Sequence, residues 1–197
     1  MRVLVACEYS GKVREAFRKL GHDAWSCDLL PADDGSEFHI QGDCVPVIMR
    51  GWDLIIMHPP CTALCVSGNR WYGRGMPKHQ DRIDSIEWTT GLFELAKQHA
   101  KSVAMENPVG VLPMKPTQYI QPWQFGHGET KRTGLWLHNL KPLEPTDIVE
   151  GRENRIHKMP PSADRWKIRS ETYQGIADAM AAQWGDQYTG RAIYNPV

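Results

Sequence analysis

Residues 52–61 read Trp-Asp-Leu-Ile-Ile-Met-His-Pro-Pro-Cys, and this stretch decides the fold. The apolar run from Leu54 to Met57 is typical of a strand that is buried on both faces of a sheet. Two prolines end it, because proline has no backbone N–H to donate to a neighbouring strand. Cys61 follows directly. Open α/β sheets build their sites at the carboxyl ends of their strands, so Cys61 is either a nucleophile or a small buried packing residue.

Composition narrows the class of protein. The 197 residues suit one domain with a sizeable core, and we expect residues 1–197 to form a single domain. A formal net charge of zero argues against binding of nucleic acid through a broad, positively charged surface. The sequence has no apolar run of bilayer length and no signal-peptide pattern, which predicts a cytoplasmic protein without membrane contact. Five cysteines, without zinc-ribbon or zinc-finger spacing, predict neither a disulfide framework nor a metal site.

The N-terminal residues predict a β-α-β unit. A strand at residues 2–6 leads through a turn to a helix that Ser10 can cap and Gly21 ends, and a second strand covers residues 23–28. Asp28 then either accepts ribose hydroxyls or is a surface acid. Asp43, after a short strand at residues 38–41, either reaches an adenine amino group or is a turn aspartate. The turn has only one glycine, so it favours an adenosine ligand without a phosphate clamp.

The rest of the chain continues the alternation of strands and helices. We predict a helix at 80–100, a strand at 102–105 ending in Glu106-Asn107, a strand at 135–140 and a helix at 170–184. Residues 112–128 are expected to be a loop with at most one short helix. The fold class is therefore α/β, a Rossmann-like domain with a mostly parallel central sheet and helices on both faces. Between these elements, four basic residues interleave with Trp71 and Tyr72, in a segment that either holds a nucleotide or is a solvated loop; they are Arg70, Arg74, Lys78 and Arg82.

Several motifs occur together and in order. Pro59-Pro60-Cys61 follows a buried strand, 91–94 lies in the next helix, Glu106-Asn107 ends the next strand, and 129–133 precedes a further strand. In these motifs residues 1–140 resemble the DNA (cytosine-5) methyltransferase family, and the chain resembles small phage-borne members. The resemblance implies a cofactor, S-adenosylmethionine, and a substrate, DNA or a cytosine nucleotide.

The resemblance also implies residue roles. Cys61 matches the cysteine whose thiolate adds to carbon 6 of cytosine, and Glu106 matches the glutamate that contacts ring nitrogen 3 and the exocyclic amine. Arg132, or else Lys131, matches the basic motif beside them. The implied cofactor contacts are Glu8, Tyr9, Ser10, Gly11, Asp28, Leu29, Asp43 and Pro59. The implied substrate contacts are Pro60, Ser67, Asn107 and Lys131.

The chemistry of these roles sets two expectations about charge. The Cys61 thiol must ionise, and a cation such as Arg132 is expected to lower its pKa. Addition of sulfur pushes negative charge onto ring nitrogen 3, and a Glu106 carboxyl kept protonated by a dry pocket is expected to neutralise it. A base in a duplex must also be flipped out of the stack.

The chain departs from the family pattern at several points. His58 stands where a small residue is usual, and Thr133 stands where a second arginine is usual. Only about twenty residues separate the strand at Leu135 from Arg155, too few for a separate target-recognition domain. A partner protein could then supply target recognition. Two alternatives stay open, namely another thiolate-dependent modification of a pyrimidine and a catalytically inactive nucleic-acid-binding homologue.

Overall fold

The chain folds around one seven-stranded sheet in a computed structural model that describes residues 1–160, 162 and 165–187. The strands are β1 (Arg2–Ala6), β2 (Asp23–Asp28), β3 (His39–Gln41), β4 (Trp52–Met57), β5 (Ala100–Pro108), β6 (Gln118–Ile120) and β7 (Thr133–His138). The helices are α1 (Lys12–Lys19), α2 (Cys44–Ile48), α3 (Asn69–Tyr72), α4 (His79–His99), α5 (Arg155–Lys158), α6 (Arg165–Ser170) and α7 (Gln174–Asp186). None of the described helices combines the length and apolarity that a bilayer crossing requires.

The strand order is β3-β2-β1-β4-β5-β7-β6. The pairs from β3 to β5 are parallel, and β7 runs antiparallel to both of its neighbours, β5 and β6. The predicted strand at residues 54–57 lies in β4, between β1 and β5, and its four residues are fully buried. The prediction of a mostly parallel α/β sheet is therefore confirmed.

Alternating residues of the central strands pack in two separate core layers, one on each face of the sheet. Val3 and Val5 of β1 pack with α1 and α7, whereas Leu4 and Ala6 pack with α2 and α4. This is the two-sided covering that the continuous apolar runs of β1 and β4 predict. Because β1 to β5 are parallel, their carboxyl ends lie along one edge of the sheet.

Four predicted boundaries are wrong for identifiable reasons. Residues 118–120, expected to be loop, form β6, whose three residues are too few to show a strand period. β5 continues through Glu106 to Pro108 because β7 pairs with its last residues. β7 begins at Thr133, and the final helix begins at Gln174 because a separate helix, α6, ends at Ser170.

Candidate active site

The site is built at the carboxyl ends of β4 and β5. Met57 pairs with Met105, and the His58 N–H donates to the Ala6 carbonyl at 3.0 Å, so His58 still follows the strand geometry of β4. The next residues in register are therefore His58 and Glu106, neighbours on adjacent strands. This register brings the residue before the Pro-Pro-Cys motif against the glutamate of the Glu-Asn motif.

His58 and Glu106 form a buried ion pair. The imidazole Nδ1 lies 2.7 Å from Glu106 Oε2, and the two side chains are 10% and 11% exposed. Within the described part of the chain, neither the other carboxylate oxygen nor His58 Nε2 has a hydrogen-bond partner, and Nε2 is fully buried. The pair thus presents one unused acceptor and one unused nitrogen.

The two groups shift each other's pKa in opposite directions, which favours the proton on His58. Burial lowers the pKa of His58, but the hydrogen bond and charge of Glu106 outweigh it and raise that pKa above its ordinary 6.5. Burial raises the pKa of Glu106, but His58 outweighs it and leaves that pKa below its ordinary 4.5. The expectation of a protonated Glu106 in a dry pocket is therefore wrong, because the pocket contains an imidazole that takes the proton.

Glu8 organises the turn between β1 and α1. Its carboxylate accepts the backbone N–H groups of Val13 at 2.7 Å and Arg14 at 3.2 Å, and Ser10 Oγ accepts that of Lys12 at 3.5 Å, so Glu8 makes the shorter bonds to the start of the helix. Burial raises the pKa of Glu8, partly offset by the charge of His58 and by these two N–H groups. The first N–H groups of α1 therefore already have partners in the chain's own side chains.

Gly11 closes this turn with a φ of 72°, in the left-handed region. A Cβ at Gly11 would meet the guanidinium of Arg14 and lie 2.9 Å from the Asp34 carboxylate, so the chain's own side chains fill the space beside it. Arg14 is fully buried and donates to Ser26 Oγ at 2.8 Å. The side chains of Arg14 and Asp34 therefore leave no room for a larger residue at Gly11.

Two carboxylates end β2 and β3 beside an apolar surface. Asp28 and Asp43 each use Oδ1 to accept a backbone N–H two residues ahead, from Leu30 and Val45, both at 2.9 Å. Their other oxygens accept no hydrogen bond from the described residues. Leu29, next to Asp28, is 74% exposed. Two carboxylate acceptors and an exposed apolar side chain suit a ribose and a flat purine ring better than a phosphate.

Tyr9, predicted to contact the cofactor, is buried under α6. Its hydroxyl lies 3.0 Å from Ser170 Oγ and donates to the Lys167 carbonyl at 3.3 Å, and its ring centroid is 5.9 Å from that of Trp166. Its own carbonyl accepts the Asp33 N–H at 3.0 Å. The structure therefore places Tyr9 between the turn and α6, as a packing residue.

Cys61 begins the loop that follows β4. Its carbonyl accepts the N–H groups of Leu64 at 3.0 Å and Cys65 at 2.9 Å, which fixes the backbone, and its side chain is half-buried. Burial raises the pKa of the Cys61 thiol above its ordinary 9.0, Cys65 and Glu106 raise it further, and Lys131 lowers it. The expected lowering of this pKa is therefore wrong in this state, because desolvation outweighs the single cation nearby.

The two candidates in the basic motif point to different places. Lys131 is the cation whose charge acts on Cys61, Glu106 and His58, and its Nζ donates to the Glu171 carbonyl at 3.2 Å. Arg132 is exposed, and its guanidinium lies 4.0 Å from the centroid of the Tyr119 ring. Of the two, Lys131 is the one whose charge lowers the pKa of the Cys61 thiol.

The remaining predicted contacts divide between buried and exposed positions. Asn107 is 2% exposed, and its side-chain amide donates to the carbonyl of buried Pro59 at 3.0 Å, so it holds the Pro-Pro backbone. Pro60 and Ser67 are exposed on the loop after β4, and Ser67 Oγ lies 3.1 Å from Cys65 Sγ. Pro60 and Ser67 are the ones accessible to a large substrate.

Arg82, which the sequence analysis placed in a segment that either holds a nucleotide or is a solvated loop, is buried and has neither position. It is 6% exposed on α4, and its guanidinium donates to the carbonyls of Ala63 at 2.7 Å and Cys65 at 3.2 Å, and to Asn69 Oδ1 at 2.8 Å. It therefore anchors the loop that carries Cys61 and is not free to bind a nucleotide. Arg82 and Thr89 are seven residues apart, so both lie on one face of α4. This spacing could have indicated that the Arg82 side chain faces the interior of the protein.

Other features lie away from this site. A surface pocket of about 480 Å³ lies at the opposite edge of the sheet, between the starts of β1, β4 and β5. Arg2, Asp53 and Lys101 line it and are joined by hydrogen bonds, with Lys101 Nζ donating to Asp53 at 2.7 Å. Among the described residues no cluster of three or more His, Cys, Asp or Glu could hold a metal ion. We therefore identify the candidate site from the side chains at the carboxyl ends of the strands, and not from a pocket or a metal cluster.

Comparison with known proteins relates this fold to methyltransferases. No protein-family model matches the sequence, and no curated protein matches it. Among solved structures, the Entamoeba histolytica methyltransferase EhMeth superposes with a TM-score of 0.50 at 13% identity, over 83% of this chain and 61% of that one. This similarity shows that the chain has the same α/β fold as that methyltransferase.

Two further structures are similar at a lower level. A protein described as a DNA modification methyltransferase encoded within an E. coli prophage gives a TM-score of 0.49 at 11% identity, over 70% of this chain and 46% of that one. A mutant of DNMT2 from Spodoptera frugiperda gives 0.42 at 17% identity, over 78% and 55%. The chain thus spans about half the length of the methyltransferases whose structures it resembles.

Proposed function

We propose that this protein is an S-adenosylmethionine-dependent methyltransferase that modifies carbon 5 of cytosine in DNA. The observation that carries the proposal is the grouping of Cys61, the His58–Glu106 pair and Lys131 at the carboxyl ends of β4, β5 and the start of β7. A thiol, an acid–base pair and a cation are the groups that nucleophilic addition to a pyrimidine requires.

The cofactor proposal is supported by the donor set at β1, β2 and β3. Asp28 and Asp43 would accept hydroxyl and amino protons of the adenosine, with Leu29 against the purine, as the free carboxylate oxygens and the exposed apolar surface allow. Glu8 holds the turn before α1 through the N–H groups of Val13 and Arg14. When bound, the cofactor supplies an electrophilic methyl group on a positively charged sulfur.

The chain's own residues would then prepare the base. Cys61, as the thiolate, adds to carbon 6, and the ring becomes an enamine that is nucleophilic at carbon 5. Lys131 favours the ionised thiol. Glu106, an ionised carboxylate with one free oxygen, would accept a proton of the exocyclic amine and orient the ring. Arg82 keeps the Cys61 loop in place.

We propose further that the chain is a single methyltransferase domain whose target selection does not depend on a domain between β7 and α7. This is supported by the way residues 139–160 return to the body of the protein, where Leu143 and Ile156 are buried and residues 147 and 153 bridge to 125 and 129. DNA of low sequence specificity, or DNA presented by a partner protein, fits such a chain.

Nucleoside mass spectrometry tests the function. The purified protein is incubated with S-adenosylmethionine and with duplex DNA, single-stranded DNA or cytidine nucleotides in parallel. We expect 5-methylcytosine with the wild type and with the Cys65→Ser control, and none with Cys61→Ser. Absence of the product on every substrate, or full activity of Cys61→Ser, would contradict the proposal.

A further inference from the structure

We propose that Cys7 and Cys44 form a redox-sensitive dithiol beside the cofactor side of the sheet, which a peroxide oxidises to a disulfide that weakens the binding of S-adenosylmethionine. The oxidation concerns these two cysteines alone, whereas its effect on the cofactor rests on the proposed function. Neither thiol takes part in the chemistry assigned to Cys61, so this is a second site with a different role.

The two sulfur atoms are already in contact. Cys7 Sγ lies 3.9 Å from Cys44 Sγ, and both cysteines are free thiols. Cys44 is 6% exposed and Cys7 is half-buried, so a small oxidant has to pass only a thin layer of protein. A disulfide has a sulfur–sulfur length of about 2.03–2.05 Å. Sulfur atoms that touch in the reduced state reach this length by side-chain rotation and a small shift of the backbone.

The backbone at Cys7 brings its side chain to this contact. Val3 and Val5 of β1 pack with α1 and α7, and the alternation of a strand would direct Cys7 to the same side. Cys7 instead packs in the opposite layer, which contains Ala6 and Cys44. Its φ of 58° lies in the left-handed region, which a residue with a Cβ adopts only at a cost. This change of direction at the end of β1 is what places the thiol against Cys44.

A third cysteine at this edge, Cys27, provides a comparison. It is fully buried near the end of β2, in register with Ala6, and its Sγ donates to the Gly42 carbonyl at 3.5 Å. Burial raises the pKa of the Cys27 thiol to about 12, so this thiol stays protonated. Cys27 thus has a backbone partner, whereas Cys7 and Cys44 have each other, and Cys27 is the matched control for the pair.

The surroundings of the pair favour Cys44 as the thiol that reacts first. The hydrogen bond with Cys7 lowers the pKa of Cys44 below its ordinary 9.0, and the same hydrogen bond together with burial raises the pKa of Cys7 well above it. The thiolate is the form that attacks a peroxide. Cys7, whose sulfur is 3.9 Å away, is then the resolving cysteine.

The oxidation has two steps, and hydrogen peroxide is the oxidant. The Cys44 sulfur attacks one peroxide oxygen, the sulfur–oxygen bond forms, the oxygen–oxygen bond breaks, and the hydroxide that leaves takes up the proton of the Cys44 thiol to become water. Cys44 is then a sulfenic acid. The Cys7 sulfur attacks the Cys44 sulfur, the sulfur–sulfur bond forms, the sulfur–oxygen bond breaks, and the second hydroxide takes the Cys7 proton. The dithiol thereby loses two electrons and two protons, and the peroxide is reduced to two waters.

The disulfide acts on the cofactor through Asp43, which directly precedes Cys44. Asp43 caps α2 by accepting the Val45 N–H at 2.9 Å, so a shift of the start of α2 carries this carboxylate with it. Cys7 follows β1, which is fixed between β2 and β4, so the movement that closes the disulfide falls mainly on the short helix α2. The proposed contact of Asp43 with the adenosine is therefore displaced. Coupling between two sites typically changes affinity by about 5–150-fold, and we expect a loss in this range.

Peptide mapping of the whole chain tests the disulfide. The reduced protein is treated with hydrogen peroxide, the remaining thiols are alkylated, and the protein is digested with trypsin and with a protease that cuts after glutamate. The cut after Glu37 separates Cys27 from Cys44, so mass spectrometry identifies which cysteines are linked. We expect a peptide that links Cys7 to Cys44 in the wild type and in Cys27→Ser, and no such peptide in Cys44→Ser.

Calorimetry with S-adenosylmethionine tests the effect on the cofactor. Each protein is measured before and after peroxide treatment, and again after reduction with dithiothreitol. We expect the wild type and Cys27→Ser to bind about 5–150-fold more weakly after oxidation and to recover on reduction. Cys44→Ser should show no such change. By the same linkage, bound cofactor should disfavour formation of the disulfide in the wild type.

The outcomes separate this inference from the proposed function. A peroxide-treated wild type in which Cys7 and Cys44 stay unlinked, or a linked one that binds the cofactor as tightly as the reduced protein, overturns the inference and leaves the function standing. Equal losses of affinity in the wild type and in Cys44→Ser overturn it as well. A reduced wild type that binds no S-adenosylmethionine overturns the proposed function and the effect on the cofactor with it. If Cys44→Ser does not fold, Cys7→Ser decides, because it removes the other half of the same disulfide.

Discussion

Removal of the Arg82 anchor tests whether the Cys61 loop is held as the structure indicates. Arg82→Met keeps most of the aliphatic length of the side chain on α4 and removes all three hydrogen bonds to the loop, those to Ala63, Cys65 and Asn69. Arg82→Lys keeps the charge and can restore at most part of this set. Arg70→Met is the matched control, because Arg70 is exposed and only faces the Trp71 ring, 5.2 Å from its centroid.

The expected loss follows from the number and length of these bonds. A hydrogen bond to a charged group contributes about 1.5–3 kcal/mol, and the bond to the Cys65 carbonyl, at 3.2 Å, is the weakest of the three. Because the freed carbonyls can turn to solvent, we expect Arg82→Met to lower the free energy of unfolding by about 3–4 kcal/mol, less than the sum. At roughly 2–4 °C per kcal/mol for a chain of this size, Tm should fall by about 6–16 °C. Arg82→Lys should lose about half as much, and Arg70→Met less than about 0.5 kcal/mol.

Two measurements test the expected loss of stability and the expected release of the Cys61 loop. Thermal unfolding gives the loss of stability, and the alkylation rate of Cys61, measured in a Cys65→Ser background, reports the exposure of the thiol. The half-buried Cys61 should react faster once the loop is released, most in Arg82→Met and little in Arg70→Met. A Tm and an alkylation rate for Arg82→Met equal to those of the wild type would refute the reasoning.

Three further predictions follow from the site. Gly11→Ala should lower the free energy of unfolding by more than about 1 kcal/mol in a denaturant titration, because the turn needs a φ of 72° and the space for a Cβ is filled; an unchanged midpoint would contradict this. The His58–Glu106 pair should stabilise the fold most between pH 4.5 and 6.5. The part from Glu106 is present above its ordinary pKa and lost as pH falls through its lowered one, and the part from His58 is present below its ordinary pKa and lost as pH rises through its raised one. Glu106→Gln should therefore cost about 3 kcal/mol in that window and less on either side, and a pH-independent loss would count against the pair. Lys131→Met should raise the pKa of Cys61 and slow its alkylation at pH 8, whereas Arg132→Met should not; equal rates in the two variants would refute the assignment of Lys131.

Much of the fold could be predicted from the sequence because its central strands carry an unusually simple pattern. Leu54 to Met57 is apolar at every position, which is typical of a strand covered on both faces, and the prolines mark its end. The predicted turn after β1 and the acids after β2 and β3 lie at the carboxyl ends of these parallel strands. The order of motifs therefore indicated the edge of the sheet on which the site is built.

The parts that failed depend on register and on side-chain direction. The pairing of His58 with Glu106 follows from β4 and β5 being in register at Met57 and Met105, which no local pattern encodes, and it reverses the expected protonation of Glu106. Adjacent residues before β7 point in different directions, so the sequence could not choose between the two cations of the basic motif. β6 and α6 are short segments whose existence depends on β7 and on Tyr9 as packing partners.

A covalent trap tests the central claim, that the Cys61 thiolate adds to cytosine, most directly. DNA with 5-fluorocytosine carries no proton at carbon 5, so an enzyme that adds a thiolate and then methylates the ring cannot complete elimination and stays attached. Intact mass spectrometry of the protein with this DNA and S-adenosylmethionine should show the added mass of one oligonucleotide in the wild type and in Cys65→Ser, and none in Cys61→Ser. An adduct that persists in Cys61→Ser, or no adduct in a wild type that methylates DNA, would contradict the account.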